Sequence, residues 1–193
     1  MTVRVLRAAD RAATPWLNGG GVTREVAGAP AGSGLADFDW RVSLADVARG
    51  GPFSVFPGVD RVITLVDGAG MALTVSGTEQ LVARPYRPFA FPGDAETGCR
   101  LLGGPVVDFN VMTRRGRALA DVGLADADRE LTVPDGAVLL LVCLAGSAAL
   151  DAAGVTLGPL DAALLEPGRG PEPLRVDGVT AVVTLRTVAR EGS

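Results

Sequence analysis

Apolar residues in this chain alternate with polar ones at a period of two far more often than they recur at helical spacing, which predicts a mostly β protein. Strands are predicted at Gly21–Val26, Phe38–Ala45, Arg61–Val66, Ala72–Val75, Arg87–Phe91, Val106–Met112, Val138–Leu144, Ala148–Asp151, Ala162–Leu165 and Ala181–Thr187, each bounded by Gly, Pro or Asp. Helical turns are predicted only around Asp46–Arg49 and, where alanine is dense, over Ala118–Asp126. The longest apolar run, Ala137–Ala145, is far shorter than the ~20 residues of a membrane helix. Met1–Leu17 has scattered charges and no apolar stretch, so no signal peptide is expected.

The pattern repeats. Thr64–Gly70, then Leu73, Gly77 and Phe91-Pro92-Gly93, is echoed by Leu141–Gly146, Leu150, Gly154 and Glu166-Pro167-Gly168. Each unit reads as strand, glycine turn, strand, loop, and a strand ending in Pro-Gly, the cadence of a small antiparallel barrel or jelly roll. Two such units predict a bicupin: two antiparallel β-barrels of the RmlC-like jelly-roll type in one chain. The first barrel is placed at 1–115 and the second, read as structural, at 116–193, with strands open to exchange between them.

Composition narrows the partners. The net charge of −4 and a pI near 4.9 argue against a nucleic-acid partner, whose phosphates call for a basic surface. All 18 basic residues are arginine, which for the surface positions reflects a GC-rich coding sequence first, although arginine is also the side chain best shaped for bidentate carboxylate recognition. Cys99 and Cys143 form no CxxC or disulfide pattern, which suits a reduced compartment and a cytoplasmic protein.

Three stretches carry candidate chemistry. In Trp16–Glu25, the Asn18-Gly19-Gly20-Gly21 turn lets backbone N–H groups approach a ligand or form an anion nest, and the strand after it puts Thr23 and Glu25 on one face. In Phe38–Ala45, Trp40, Val42 and Leu44 share a face; Arg41 and Ser43 share the other, which is either solvent-facing or turned into a barrel mouth. In Asp108–Arg115, Phe109 and Val111 oppose Asp108 and Asn110. The sequence leaves open which side of each strand faces the interior. If the polar pairs converge, they can hold a small anionic metabolite.

Metal chemistry is disfavoured, and no cofactor is expected. Cupin metal sites rely on histidines and a glutamate, and this chain has no histidine. Counting back from the Gly68 turn, the glutamate position falls on Arg61, and in the second unit near Leu139. Histidine-based nucleophilic schemes are likewise absent. Acid–base work would fall to Glu25, Asp60, Asp108, Glu96 or Tyr86, with Glu25 and Asp108 the catalytic candidates. Arg114-Arg115-Gly116-Arg117 reads as a solvated connection, Trp16 and Trp40 as packing residues, and the tail Glu172–Ser193 carries no chemical signal.

Trp16 with Asn18–Gly21, Thr23–Glu25, Trp40-Arg41 with Ser43, Gly51–Ser54 with Phe56 and Asp60-Arg61, and Asp108–Asn110 with Met112 and Arg114-Arg115 together resemble the HutD/Ves family. The resemblance covers the first two-thirds of the chain. It implies a bicupin, often a homodimer, with no established enzymatic activity. It also implies an association with histidine-utilisation genes and a regulatory role through binding an intermediate such as N-formylglutamate, the Ves branch being linked to cold and stress responses. On this reading Arg61 and Arg41 pair with a ligand carboxylate, the Gly19 to Gly21 backbone and Asn18 shape the rim, with Gly20 and Gly21 in the ligand-binding set, Glu25, Asp108 and Asn110 fix polar groups, and Thr23 and Ser43 complete that set. The alternatives are a metal-independent isomerase, epimerase or hydrolase, and, further behind, a protein-interaction module.

Overall fold

The structure, a computed structural model, describes residues 2–168 and 170–188. In chain order its strands are β1 (Thr2–Leu6), β2 (Ala13–Pro15), β3 (Gly21–Ala29), β4 (Trp40–Val47), β5 (Gly51–Pro52), β6 (Val59–Asp67), β7 (Met71–Val75), β8 (Thr78–Val82) and β9 (Phe89–Pro92). They continue with β10 (Thr97–Leu101), β11 (Val106–Arg114), β12 (Ala118–Ala125), β13 (Arg129–Leu131), β14 (Ala137–Leu150), β15 (Val155–Leu157), β16 (Ala162–Glu166) and β17 (Glu172–Thr187). Among the described residues the one helical element is the 3-10 turn Ala8–Asp10. No helix among the described residues is long and apolar enough to cross a membrane.

The chain divides into two compact units, Ala12–Arg117 and Met1–Arg11 with Ala118–Ser193. The boundary expected after residue 115 therefore falls after Arg117, and the first strand, expected in the first barrel, belongs to the second unit. There β1 pairs antiparallel with β16, Val3 opposite Leu165. Residues 189–193 of the expected second barrel lie outside the described residues.

In the unit Ala12–Arg117, a six-stranded sheet (β2-β3-β4-β11-β6-β9) faces a four-stranded one (β5-β10-β7-β8). Alternate residues from both, Ile63, Leu65 and Val106 with Met71, Leu73 and Cys99, form the core between them. The β11 strand is central, between β4 and β6, and it is buried on both faces: Phe109 and Val111 on one, Asp108, Asn110 and Met112 on the other. Asp46 and Val47, expected in a helical turn, instead end β4, because Val47 pairs with Val106 and enters the core.

The second unit is one seven-stranded sheet. Its apolar run was expected as two strands broken at Gly146, but β14 is one strand of 14 residues passing through that glycine. A bulge follows Cys143, and Gly146 faces Gly178 of β17. A Cβ on Gly146 would lie 1.9 Å from the Asp177 carbonyl oxygen, so only paired glycines let the two long strands pass this closely. Leu139, Leu141, Ala148, Leu150, Leu165 and Leu174 gather into its core. Ala118–Ala125, expected as helix, is an edge strand on β17. Partners about 60 residues away override its local alanine preference.

Candidate functional site

Register aligns the polar pairs. Across the six-stranded sheet, Arg41 lies beside Met112 and Met112 beside Arg61, whose partner in β9 is Phe91. The next row on the same face runs Glu25, Ser43, Asn110, Ile63, and the one after that Thr23, Ala45, Asp108, Leu65. A bulge at Val26 in β3 and another at Val66 in β6, opposite Val107 and Asp108, adjust the rows. The interior face is thus the one bearing the polar pairs, a point the sequence left open.

These rows floor a cavity of about 440 Å³, lined by Arg41, Ser43, Arg61, Asp108 and Asn110, with Asn18 and Thr23 toward one side. Its walls are Trp16, Phe53 and Phe56, and the exposed side chains of Leu17 and Leu35 border it. Exposure falls from 109% at Leu17 to 1% at Asp108, so the polar groups sit at the deep end.

Arg61 is the central cation. It is 7% exposed, and its guanidinium carbon lies 5.0 Å from the ring centre of Phe91, 5.2 Å from that of Phe53 and 5.7 Å from that of Phe56. Cation–π attraction offsets part of its desolvation. Its Nη2 donates to Asn110 Oδ1 at 3.0 Å, while its buried Nε has no partner among the described residues. Asn110 Nδ2 in turn donates to Asp108 Oδ1 at 2.6 Å. Asn110 therefore links a cation and a carboxyl group, one at each end of its amide. Burial lowers the Arg61 pKa to about 10, against the attraction of Asp108, and Arg61 is still a cation at neutral pH. Burial pushes Asp108 up to about 7, and the Asn110 hydrogen bond and Arg61 hold it from going higher.

The other expected residues divide. Glu25 lies outside the cavity lining, and its carboxylate accepts a 2.7 Å hydrogen bond from Arg41 Nε. Thr23 accepts from the Trp16 indole N–H at 2.7 Å, which fixes that wall. Gly20 and Gly21 do not line the cavity. The Gly20 N–H donates to Asn18 Oδ1 and the Gly19 N–H to the Trp16 carbonyl, so the turn consumes the donors that an anion nest would offer. Gly21 instead permits close packing: a Cβ there would meet the Asp46 carbonyl oxygen at 2.5 Å and the Trp16 ring at 3.3 Å.

Asp60, Glu96 and Tyr86 lie away from the cavity, and Asp60 is held by Arg115 at 2.7 Å. The expected solvated connection is instead a tie. Arg114 donates to the Phe38 and Ala36 carbonyls, and Arg115 bridges Asp60 and Asp94. Sequence reasoning missed Phe53, Phe56 and Phe91 as a cage and Trp16 as a wall. The signal for Phe53 and Phe56 was the aromatic segment just before Arg61, in a chain with 5% aromatic residues.

The profile of the HutD family matches residues 8–184. An uncharacterized 21.2 kDa protein in the hutC 3' region of Pseudomonas putida is 40% identical over 138 residues, 72% of each chain. Protein Ves of Cronobacter sakazakii is 42% identical over 112 residues, 58% of this chain and 60% of that one. The structure of HutD from Pseudomonas fluorescens SBW25, described as a formate condition, superposes with a TM-score of 0.85 at 35% identity, covering 97% of this chain and all of that one. A bacterial pirin from Escherichia coli in complex with nickel(II) superposes at 0.64 with 8% identity, over 95% of this chain and 98% of that one, a likeness of fold alone.

The residues at the deep end of the cavity do not suit a divalent ion such as the nickel(II) of that pirin. Among the described residues no three His, Cys, Asp or Glu side chains are grouped to hold one. The deep end of the cavity presents Arg61, a fixed cation whose field opposes a divalent ion.

Proposed function

The chain belongs to the HutD family, with Ves proteins among its relatives, and on that premise we propose that it binds a small carboxylate metabolite, such as N-formylglutamate, and regulates histidine utilisation. The observation that carries this reading is the Arg61 guanidinium: buried, lining the cavity and caged by three aromatic rings, it has a single side-chain acceptor, Asn110. A guanidinium offers five donors, and leaving a buried donor unpaired costs about 1–3 kcal/mol. A ligand carboxylate relieves that cost with a charge-assisted, bidentate contact. Arg41, its charge matched by Glu25 in an ion pair, borders the same cavity. A cavity of about 440 Å³ is in the range of small-molecule sites and larger than a one-carbon acid requires. The protein so read is a metal-free, cytoplasmic bicupin of two barrels that forms a homodimer.

The test is calorimetry with N-formylglutamate. Wild type is expected to bind and Arg61→Ala to lose at least tenfold in affinity; no heat with wild type, or equal affinity in the variant, overturns the reading.

A second reading, a metal-independent isomerase, epimerase or hydrolase, is favoured by Asp108, a buried carboxyl group whose pKa of about 7 suits a general base. Turnover of formylated amino acids in chelator, abolished by Asp108→Asn, would establish it. Silence across a substrate panel would leave the binding protein.

A further inference from the structure

We propose that Asp108 decides which anion the cavity accepts, by taking up one proton as the ligand carboxylate settles on Arg61, so that the site binds an acid as anion plus proton. The proposal rests on the reading of the cavity as a carboxylate site.

A count of the charges around the floor leads to it. On β4, Arg41 is paired with Glu25 of β3, and Asp46 with Arg24 of β3. From β10, Cys99 approaches as a neutral thiol, its pKa raised by burial and by Asp108 to about 11. From β6 comes Arg61. With those pairs closed, the deep end holds one cation, Arg61, and one carboxyl group, Asp108, joined through the two ends of the Asn110 amide. The pair is electrically balanced when Asp108 is ionised.

A ligand carboxylate on Arg61 adds a second negative charge to the same low-dielectric space. Two carboxylates cannot both stay ionised on one buried arginine at modest cost, so one takes a proton. The ligand lies directly on the guanidinium and keeps its charge. Asp108 stands one side chain further away, is 1% exposed, and feels the repulsion of Asp46 as well. It is therefore the group that protonates. Burial has already brought its pKa to about 7, so near neutrality the proton comes cheaply from solvent. Once protonated, Asp108 still accepts from Asn110 through Oδ1 and has a hydrogen of its own to donate. That hydrogen favours carboxylates bearing a second acceptor oxygen, such as a formyl or other acyl carbonyl.

The sign follows from linkage. The bound anion raises the Asp108 pKa, so affinity is greatest where Asp108 is already protonated and falls as pH rises through its free value. The experiment is calorimetry of the full chain with N-formylglutamate between about pH 6 and about pH 8, each titration repeated in two buffers of unlike ionisation heat. A wild-type affinity that falls about tenfold over that range, with close to one proton taken up per ligand at the upper end, supports the proposal. In Asp108→Asn, where the amide oxygen can still accept from Asn110, both effects should vanish while binding persists. Wild-type binding that is independent of pH and buffer, or an unchanged pH dependence in Asp108→Asn, overturns the proposal and leaves the carboxylate site standing. No wild-type heat at any pH overturns the carboxylate site, and this inference with it. Should Asp108→Asn fail to fold, the wild-type proton count decides alone.

Discussion

The two units solve the same packing problem with opposite interiors. In Ala12–Arg117, Arg61 of β6 pairs with Phe91 of β9; at the corresponding place in the other unit, Leu139 of β14 pairs with Leu165 of β16. Around Arg61 the buried set includes Ser43, Asp108 and Asn110, whereas around Leu139 it is Leu141, Cys143, Leu150 and Ala163. A buried ion costs several kcal/mol in desolvation, and the unit Ala12–Arg117 bears that cost at Arg61, on the floor of its cavity. Where that cost is borne, there is a cavity. Elsewhere leucine fills the space. The comparison teaches that the strands around Leu139 close over apolar side chains alone, so the polar floor around Arg61 answers a need other than packing.

The strongest way to break this contrast is to move the cation. Leu139→Arg puts a guanidinium into a core with no carboxyl, amide or aromatic cage in its cluster. It should cost about 4 kcal/mol or more in chemical denaturation; an effect below ~1 kcal/mol would mean the second interior is as tolerant as the first. Next is the loss of apolar volume: Leu165→Ala, fully buried in that core, should cost about 3 kcal/mol.

The reverse exchange sharpens the contrast. Arg61→Met removes the buried charge, and Asp108 then stays protonated. Stability should remain within about 1 kcal/mol of wild type, while N-formylglutamate binding is lost.

Asp108 makes the contrast visible in pH. Its folded pKa of about 7 lies above the unfolded value of about 3.9, so between these values the folded state holds more protons than the unfolded one. Its contribution is fully present below about pH 4 and is lost as pH rises through about 7, amounting to as much as ~4 kcal/mol. Subtracting the stability profile of Asp108→Asn from that of wild type should isolate a difference falling over this window; a flat difference would place Asp108 in a solvated site. The smallest effect is expected at the exposed Arg175–Asp151 pair of the second unit. Arg175→Ala should change stability by less than ~1 kcal/mol in the same denaturation assay.

Much of the frame could be read along the chain. Period-two alternation located the central strands, and the glycine turn read at Gly68 does separate β6 from β7, whereas its expected echo at Gly146 lies inside β14. Strands without alternation escaped. Thr78–Val82 is mostly exposed on both sides, so no apolar stripe announces it. Thr2–Leu6 finds its partner about 160 residues away in β16, and no local signal reports such a pairing.

The candidate site divides along the same line. The residue types and the two-residue spacing of Arg41 with Ser43 and of Asp108 with Asn110 are properties of the sequence alone, because alternation along a strand is local geometry. Which face turns inward was decided by the registers of β3, β4, β6 and β11 and by their bulges, since a shift of one residue sends every side chain to the opposite side. Tertiary structure also withdrew Gly20 and Gly21 from the lining by spending their neighbourhood's donors within the turn. It brought Phe53, Phe56 and Phe91 around Arg61, and it set Asp108 behind Asn110 in a place dry enough to hold a proton near neutrality. The absence of histidine was legible from the first reading. That an arginine stands there with its donors largely unmatched depends on distances between strands, which only the folded sheet determines.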